Sequence, residues 1–347
     1  MSEKLLREDY YNLNNLESYG SPITAVFGER GNGKTHSALE KMIRLFEKEG
    51  LESAYMRRTE AEIEVIKNDI FNDIAQLYPQ YKFELKGSDK AGYYYTLNGK
   101  KFCYLFALST AYKMKGTSKP NLYFTFFDEY IPENLQFLKN EPNKILSYIS
   151  TVYRHRKFRV HFASNSISYV CPLLEMFKVY PRDDKEFYKV KSENKLMFVL
   201  QITGESSYRE KMKKSDIYLL SKMVNLDSYM FNNKALLDNE AHIVSKKPSG
   251  FDTSLCAFKV DGKIYGVWIN NDTSAFYFYD KFDKSELNYM AYYIFPEDKS
   301  EGFFDIRGYR REPFARRLKE LYNKGACMFK NQKCKRVFIT SIIHYIQ

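Results

Sequence analysis

A glycine-rich octapeptide near the amino terminus has the residue types and the spacing of a phosphate-binding loop. Gly28-Glu29-Arg30-Gly31-Asn32-Gly33-Lys34-Thr35 fits the pattern G-x-x-x-x-G-K-[ST] at every position. In such a loop, glycines let backbone N–H groups close around phosphate oxygens at the start of a helix. Lys34 would reach the β- and γ-phosphates, and the Thr35 hydroxyl would bind Mg²⁺. The octapeptide therefore predicts binding of a nucleoside triphosphate, with an ordinary glycine-rich turn as the alternative.

Two acidic residues stand directly after an apolar segment further along the chain. Leu122–Phe127 has the composition of a buried strand, and Asp128 and Glu129 follow it. Ligands of open α/β sheets collect at the carboxyl ends of the strands. We therefore expect Asp128 to hold Mg²⁺ together with Thr35, and Glu129 to orient and polarise an attacking water. A helix-capping carboxylate is the alternative for Glu129.

Two further polar side chains are candidates for contacting the γ-phosphate. Arg30 lies inside the loop itself, where it could approach the γ-phosphate or sense Glu129. Asn165 follows the strand predicted over 159–164 and could sense the γ-phosphate or position the attacking water. A Ser-Asn pair is also an ordinary turn signal, so the prediction for Asn165 depends on its neighbours.

Arginines also stand at two other junctions between predicted elements. The segment 153–159 separates a helix from a strand and contains Arg154 and Arg156. Such an arginine can act on a neighbouring subunit, where a trans arginine finger contributes on the order of 10³–10⁵ in rate. Arg154 is the preferred finger and Arg156 the second choice, with a solvated basic turn as the alternative. Arg57 and Arg58 end another strand and could contact phosphate, an interface or only solvent.

The elements that must position these residues alternate between short apolar runs and helical periods over about residues 20–200. This alternation predicts an α/β sheet with crossover helices. Candidate strands are 23–27, 53–57, 102–108, 122–127, 159–164 and 196–201, and candidate helices are 34–48, 60–77, 142–153 and 172–177. The tyrosine-rich stretch 91–105 around Asn98-Gly99 predicts a hairpin at the edge of the sheet.

The composition changes after Thr203, which indicates a second part of the chain. We predict an ATPase domain over 1–203, a linker or small helical subdomain over 204–240, and a carboxyl-terminal domain over 241–347. The last domain opens with three strand-like runs joined by turns, one of them Asp261-Gly262. These runs are 254–260, 263–269 and 275–279, and a basic helix over 312–324 and an apolar segment over 337–346 follow.

A lysine-bearing loop precedes the acidic strand. It contains Lys113, Lys115 and Lys119 around Gly116. A basic loop of this kind joining two core strands could hold DNA phosphates, and such contacts carry no sequence information. Lys115 is the first choice, and a solvated connector is the alternative.

The overall composition limits the kinds of protein that this chain can be. Its 347 residues, 44% of them hydrophobic, are enough for about two domains with substantial cores. A formal net charge of +11 favours a polyanionic partner. Five scattered cysteines predict reduced thiols in a cytoplasmic protein, and the histidines lack the spacing of a zinc site. The sequence contains neither a membrane span of about 18 apolar residues nor a secretory signal.

The order of these motifs resembles that of the genome-packaging ATPases of phi-29-type small tailed phages. The segments that carry the resemblance are the loop, Tyr55-Met56-Arg57-Arg58, Phe127-Asp128-Glu129-Tyr130, Tyr153-Arg154-His155-Arg156, Ser164-Asn165 and, more weakly, Tyr265-Gly266-Val267-Trp268. The resemblance implies a P-loop fold of the RecA/ASCE type, with a mainly parallel sheet and flanking helices. It further implies a smaller α+β carboxyl-terminal domain that resembles a degenerate RNase-H-like nuclease.

The same resemblance implies a function and partners. It implies a homo-oligomeric ring, pentameric by analogy, that uses ATP and Mg²⁺ to translocate double-stranded DNA through the portal of a procapsid. Such a motor works in the cytoplasm of the infected host cell and only transiently on the procapsid, without a membrane. The resemblance assigns Arg154 as the trans finger and Tyr11 as an adenine contact.

The sequence departs from that of a working nuclease, and two competing functions for the whole chain remain open. Two-metal cleavage needs carboxylates that converge on paired ions, whereas the strand Cys256–Val260 carries no acid. We therefore expect a nuclease-like domain without cleavage, and Asp252, Asp272 and Asp280 are the acids that could contradict this. The competing functions are a RecA-like helicase or recombination ATPase, and a non-catalytic nucleotide-gated DNA-binding adaptor.

Overall fold

The computed structural model describes residues 9–114, 119–133, 136–165, 171–179, 181, 185–203, 207–224, 242–280, 290–309, 311–343 and 346. The chain divides into two compact units, Met1–Leu237 and Asp238–Gln347. The sequence-based boundaries at 203 and 240 stay a prediction. Residues 207–224, which were assigned to the linker, belong to the first unit and form two short helices there.

The described residues of the first unit form one sheet of nine strands. In chain order they are β1 (Ile23–Gly28), β2 (Glu52–Arg57), β3 (Phe83–Ser88), β4 (Gly92–Leu97), β5 (Lys100–Ala107), β6 (Leu122–Asp128), β7 (Arg159–Asn165), β8 (Phe187–Ser192) and β9 (Lys195–Ile202). Their spatial order is β3-β4-β5-β2-β6-β7-β1-β9-β8. The six central strands from β5 to β9 run parallel, and β3–β4 and β8 add antiparallel edges.

Helices cover the sheet or follow it in sequence. They are α1 (Asn14–Glu17), α2 (Lys34–Glu49), α3 (Glu60–Ile66), α4 (Asn72–Leu77), α5 (Glu141–Tyr153), α6 (Pro172–Met176), α7 (Ser207–Met212) and α8 (Asp216–Met223), with a 3₁₀ segment at Leu108–Met114. The predicted α/β class with a mainly parallel sheet is confirmed. This arrangement matters for the site because β7 lies between β1 and β6, so the carboxyl ends of all three strands meet at one edge.

Two elements illustrate why the chain folds this way. All six residues of β1 are buried, as a central parallel strand requires. Helix α2 buries Ala38, Leu39, Met42 and Ile43 along one face and ends at Gly50, which has a left-handed backbone. Because β1 and one face of α2 are buried, the loop that connects them is held at both of its ends.

The helix predicted over 60–77 is wrong as one continuous element. It is divided into α3 and α4, with turns between them. A capping box of Thr59 and Glu62 begins α3. The Lys67 carbonyl then accepts a hydrogen bond from the Tyr95 hydroxyl at 2.6 Å. Because this contact with β4 satisfies a carbonyl at the end of α3, the chain can leave the helix there.

The second unit contains a six-stranded sheet among its described residues. Its strands are β10 (Thr253–Val260), β11 (Lys263–Asn270), β12 (Ala275–Tyr279), β13 (Ala291–Tyr293), β14 (Phe303–Asp305) and β15 (Cys327–Phe329), in the order β14-β13-β10-β11-β12-β15. The first three form the predicted antiparallel meander, and β13, β14 and β15 add parallel pairs. Its described helical elements are α9 (Pro313–Asn323) and α10 (Gln332–Val337), a π-helical turn at Phe338–Ile343, and 3₁₀ segments at Pro296–Asp298 and Ile306–Tyr309.

The core of the second unit is aromatic. Phe276, Phe278, Phe329 and Phe338 are fully buried and contact one another. This contact network joins the meander, β15 and the carboxyl-terminal helical segment into one hydrophobic core. The RNase-H-like description of this unit stays a prediction.

Among the helices that the structure describes, none combines the length and the apolarity that crossing a bilayer would demand.

Candidate nucleotide-binding site

The backbone of the glycine-rich loop adopts conformations that depend on glycine. Gly31 and Gly33 have φ values of +76° and +87°, in the left-handed region that L side chains rarely adopt. Gly33 also caps the amino end of α2. A Cβ at Gly31 would lie 2.6 Å from the Tyr208 hydroxyl, and one at Gly33 would lie 2.9 Å from Tyr10 Cβ. The loop is therefore held in a shape that only glycines permit at these two positions.

Lys34, near the end of the loop, is buried. Its Nζ donates to the carbonyls of Gly28 at 3.2 Å and Glu29 at 2.5 Å, and to Asn32 Oδ1 at 3.2 Å. Asn165 Oδ1, at the end of β7, lies 3.5 Å away. Burial lowers the pKa of Lys34 to about 8, although Asp128 and other nearby acids favour the charged form. The structure thus brings Asn165 beside Lys34, while its predicted role at the γ-phosphate or the attacking water stays a prediction.

The two predicted metal ligands meet across the sheet edge. Thr35 Oγ1 lies 3.2 and 3.3 Å from the two carboxylate oxygens of Asp128. The Tyr55 hydroxyl donates to Asp128 Oδ2 at 2.5 Å and fixes that carboxylate. A hydroxyl and a carboxylate are hard oxygen ligands of the kind that Mg²⁺ prefers. The donor set therefore fits the predicted cation.

Glu129 is held beside this pair by an arginine from β2. Its backbone has φ +48° and its side chain is 52% exposed, so the carboxylate points away from the core. Arg57 Nη1 donates to Glu129 Oε2 at 2.5 Å, and Arg57 Nη2 donates to Asp128 Oδ2 at 3.2 Å. Glu129 therefore contacts Arg57 beside Asp128. It does not cap a described helix, because the next one, α5, begins at Glu141.

Arg57 and Arg58 have different environments although they are adjacent in sequence. Arg57 bridges both acids of the site, a role that the sequence analysis did not name. Arg58 is 3% exposed and donates to Glu141 Oε2 at 2.9 Å and to the Tyr130 carbonyl. It therefore ties β2 to the start of α5, and it is not the surface residue that the sequence allowed for.

Two loop residues that the sequence assigned to nucleotide binding have partners outside the loop. Arg30 is largely exposed and pairs with Glu133 at 2.7 Å, whereas Arg57 occupies the position beside Glu129. Glu29 is 1% exposed, and Arg209 Nε of α7 donates to its Oε1. No sequence pattern indicated Arg209, because it lies far along the chain in a polar segment.

The segment before the loop places two tyrosines differently. Tyr11 is buried, its backbone N–H donates to the Asn32 carbonyl at 2.7 Å, and burial raises the pKa of its phenol well above the usual value. Tyr10 is only half-buried, and its ring lies against Gly33 and 5.8 Å from the ring of Tyr208. Tyr11 therefore supports the loop through its backbone, and Tyr10 is the more accessible ring.

Arg154 and Arg156 precede the start of β7, so they lie at the amino ends of the parallel strands. The phosphate loop of the same chain lies at the carboxyl ends. Arg154 caps α5 with φ +55° and is exposed. Its side chain forms no hydrogen bond or ion pair with the residues that the structure describes. Arg156 donates to the carbonyls of Lys119 (2.7 Å), Pro120 and Val152. Arg156 is thus occupied by the backbone, whereas Arg154 is presented to the surroundings.

The lysines of the predicted DNA-contacting loop do not form one described surface. Lys113 lies in the 3₁₀ segment and pairs with Glu60 at 3.2 Å. The Lys119 ammonium lies 5.0 Å from the centre of the Tyr104 ring, shortly before β6. Lys115 lies outside the described residues. Because β5 and β6 run in the same direction, Lys113 and Lys119 are near opposite edges of the sheet.

The acids considered for nuclease activity in the second unit are separate. Asp252 and Asp272 are exposed, and Asp280 pairs with Lys330 at 2.6 Å. Throughout the parts of both units that the structure describes, no three metal-ligating side chains gather at one point. All five cysteines are buried, and none of them forms a disulfide.

Comparison with known protein families identifies similar chains. The family model of the podovirus DNA encapsidation protein (Gp16) matches residues 5–344. The DNA packaging protein of Bacillus phage B103 is 26% identical over 323 residues, covering 92% of this chain and 96% of the relative. That of Bacillus phage phi29 is 26% identical over 332 residues, covering 94% and 95%.

Solved structures with a similar fold include two from the same phage. The chain of the bacteriophage phi-29 genome packaging motor assembly has 22% identity and a TM-score of 0.70, covering 97% of this chain and 99% of that one. The amino-terminal domain of the DNA packaging ATPase from phi29 has 29% identity and a TM-score of 0.50, covering 56% and 96%.

Proposed function

This chain belongs to the podovirus Gp16 family of DNA encapsidation proteins, and we propose that it is the motor that drives viral double-stranded DNA into a procapsid by hydrolysing ATP. As a member of this family it is a DNA-packaging ATPase. The resemblance found in the sequence is thereby confirmed. The finer features, namely the cofactors, the ring and the residue roles, form the proposal.

The observation that carries the proposal is the meeting of Lys34, Thr35 and Asp128 at one sheet edge. In our proposal the loop from Gly28 to Thr35 binds the triphosphate of ATP, with Lys34 on its β- and γ-phosphates. Lys34 must then exchange its loop carbonyls for phosphate oxygens. Thr35 and Asp128 would hold Mg²⁺, which neutralises charge on the phosphates when it is bound. The half-buried ring of Tyr10 is better placed than Tyr11 to contact the adenine.

Hydrolysis needs a group that orients water and groups that stabilise charge. Glu129 is placed to accept a hydrogen bond from the attacking water, since its carboxylate is accessible and lies next to Asp128. Asn165, near Lys34, is placed to bond the γ-phosphate or that water. Arg30 is long and exposed, and its pairing with Glu133 leaves it a secondary candidate for contact with the γ-phosphate.

The position of Arg154 supports a shared active site. It lies at the far edge of its own sheet, so it cannot approach the loop of the same chain without a large rearrangement. A neighbouring subunit in a homo-oligomeric ring could receive it as a trans finger. We propose a ring, pentameric by analogy with the family, that docks on the portal of the procapsid in the cytoplasm of the infected cell.

DNA binding is proposed from the charge of the chain and from its relatives. The net charge of +11 favours a polyanion. Lys113, Lys115 and Lys119 remain candidates for phosphate contacts, with Lys113 and Lys119 acting at different edges of the sheet. The carboxyl-terminal domain, predicted over 241–347, would serve DNA or portal binding as a vestigial nuclease.

The test is ATP turnover by the purified full chain with and without duplex DNA. Lys34→Ala should abolish turnover and weaken ATP binding. Glu129→Gln should abolish turnover while ATP affinity stays within about threefold, because an amide cannot accept the proton. Undiminished turnover by Lys34→Ala would contradict the proposal.

The same preparation separates the competing functions. Stimulation by duplex DNA without strand separation supports a translocating motor, whereas unwinding would support a helicase. A wild type that binds ATP but does not hydrolyse it, with or without duplex DNA, would support the non-catalytic adaptor. DNA affinity should fall steeply with salt, since each neutralised phosphate releases counterions.

A further inference from the structure

The phosphate loop contains a buried acid, which is an unusual group beside a bound triphosphate. Glu29 is the second residue of the loop and is 1% exposed. Its Oε2 is buried and has no hydrogen-bond partner within the described part of the chain. Burial raises the pKa of Glu29, while Arg209 first and then Lys34 and Lys213 oppose that rise. A charge at this position therefore depends on its cationic neighbours.

Arg209 is the main neighbour and comes from outside the loop. Its side chain is 9% exposed, and its Nε donates to Glu29 Oε1. Two adjacent contacts anchor the same helix, α7, at the loop. The Tyr208 hydroxyl donates to the Arg30 carbonyl at 3.2 Å, and Lys211 pairs with buried Asp9 at 2.8 Å. These contacts come from residues before and after Arg209 in sequence, so they hold its guanidinium beside Glu29.

The charge of Glu29 acts at the place where phosphates would bind. The Glu29 carbonyl is 2.5 Å from Lys34 Nζ, and the Glu29 carboxylate favours the charged form of that lysine. A field that attracts the ammonium repels a polyphosphate by the same law. In this poorly solvated environment the repulsion is screened less than at the surface.

We propose that Arg209 is a charge-compensating positioning residue of the phosphate loop, which neutralises Glu29 so that the loop can bind a triphosphate. This inference rests on the proposed binding of ATP to the loop. A purely structural role, in which Arg209 only attaches α7, is the alternative. The two roles predict different binding by the double variant. If Arg209 compensates charge, removing the Glu29 charge restores the ATP binding that is lost with Arg209. If Arg209 only attaches α7, it does not.

The experiment is a double-mutant cycle on the full chain, read by titration with a fluorescent ATP analogue and Mg²⁺. Arg209→Met, which keeps the aliphatic stem, should weaken binding about tenfold or more, a factor worth about 1.4 kcal/mol. Arg209→Lys should stay within about threefold. Glu29→Gln should bind more tightly than the wild type, because it removes the negative charge that repels the phosphates while Arg209 remains. Glu29→Gln/Arg209→Met should return to within about threefold of the wild type.

Lys222→Met is the matched control, since it removes one exposed positive charge from α8. It should leave binding unchanged. If Arg209→Met alone does not fold, the double variant still decides, because it should fold and bind ATP within about threefold of the wild type. A double variant as weak as Arg209→Met, or lacking ATP binding, overturns the inference.

The controls also separate this inference from the proposed function. If the wild type binds the analogue and Lys34→Ala does not, the proposed ATP site stands whatever Arg209 does. Equal binding by the wild type and Arg209→Met would then refute compensation alone. A wild type that fails to bind the analogue would refute the ATP site, and the inference with it.

Discussion

Arg57 Nη1 lies 2.5 Å from Glu129 Oε2, and the same guanidinium reaches Asp128 through its other terminal nitrogen. One side chain from β2 therefore orients both acids at the end of β6. Arginine can do this because its planar fork presents several donors in fixed directions, which a lysine ammonium does not. The water-orienting group and the metal-holding group of the proposed mechanism thus share one support.

Arg57→Ala should lower the maximal rate of ATP hydrolysis at least about tenfold, because a misplaced catalytic group costs one or two orders of magnitude. The KM for ATP should change by less than about threefold, since Lys34 and Thr35 remain in place. Arg57→Lys should recover part of the rate by bonding one carboxylate at a time. Steady-state kinetics on the full chain measure both parameters, with exposed Lys157→Ala as the control. A large rise in KM at an unchanged maximal rate would instead assign Arg57 to substrate binding.

The comparison between sequence and structure at the site follows from how local each signal is. Gly28 to Thr35 and Asp128 were predictable because a loop and a strand end carry their signals within a few residues. Arg209 was not, since its role depends on a long-range contact between α7 and Glu29. Arg57 was half-predictable, because β2 was recognised as a strand, but its adjacency to β6 is a property of the sheet order.

The fold shows the same dependence. The central strands were found because burial on both faces makes them continuously apolar, as in β1. The edge strand β3 was missed because its sequence Phe-Glu-Leu-Lys-Gly-Ser is half polar and contains glycine next to its last residue. The three-residue strands of the second unit, such as β14, are too short to show a period. Their pairing depends on neighbours rather than on local sequence.

His161 should make the stability of the first unit fall in acid. It is buried in β7, with Nδ1 2.9 Å from Thr24 Oγ1, and burial lowers its pKa to about 3. The unfolded chain, with a histidine pKa near 6.5, therefore binds a proton that the folded chain does not. Stability due to this residue is complete above about pH 6.5 and should fall below it by about 1.4 kcal/mol per pH unit.

Denaturant titrations at pH 7, 6 and 5 measure that slope. His161→Phe keeps an aromatic ring against Phe126 and should reduce the acid dependence. His155→Gln, at an exposed position, should leave it unchanged. An equal slope in wild type and His161→Phe would show that His161 is not the responsible group.

The buried pair of Arg58 and Glu141 should contribute to stability rather than to catalysis. Both side chains are at most 3% exposed, and Glu141 Oε2 also accepts from the Leu138 N–H at 2.8 Å. Arg58→Met leaves a buried carboxylate without its cation and should lower the free energy of unfolding by about 3–5 kcal/mol. Arg58→Met/Glu141→Gln should recover much of this loss. Denaturant unfolding measures it, and breaking the exposed pair of Lys213 and Glu210 should have little effect.

Arg154 should act on the neighbouring subunit, which a mixing experiment can detect. Arg154→Ala should bind ATP normally but hydrolyse it at a rate lower by about 10³ or more, because charge on the γ-phosphate loses its stabilising arginine. Lys34→Ala is inactive for a different reason, since its own loop fails. When the two variants are mixed, a Lys34→Ala subunit can still offer Arg154 to the intact loop of an Arg154→Ala neighbour.

The mixture should therefore regain a fraction of the wild-type rate although each variant alone is inactive. Mixing Lys34→Ala with Glu129→Gln serves as the control. Under the trans arrangement both residues of that pair belong to the same subunit's site, so no complete site can form and turnover should stay absent. If Arg154 acted within its own chain, the first mixture would stay as inactive as the control, because every subunit would carry one defect in its own site. Recovery in the first mixture alone thus requires that the guanidinium at the end of α5 serves the loop of a second copy.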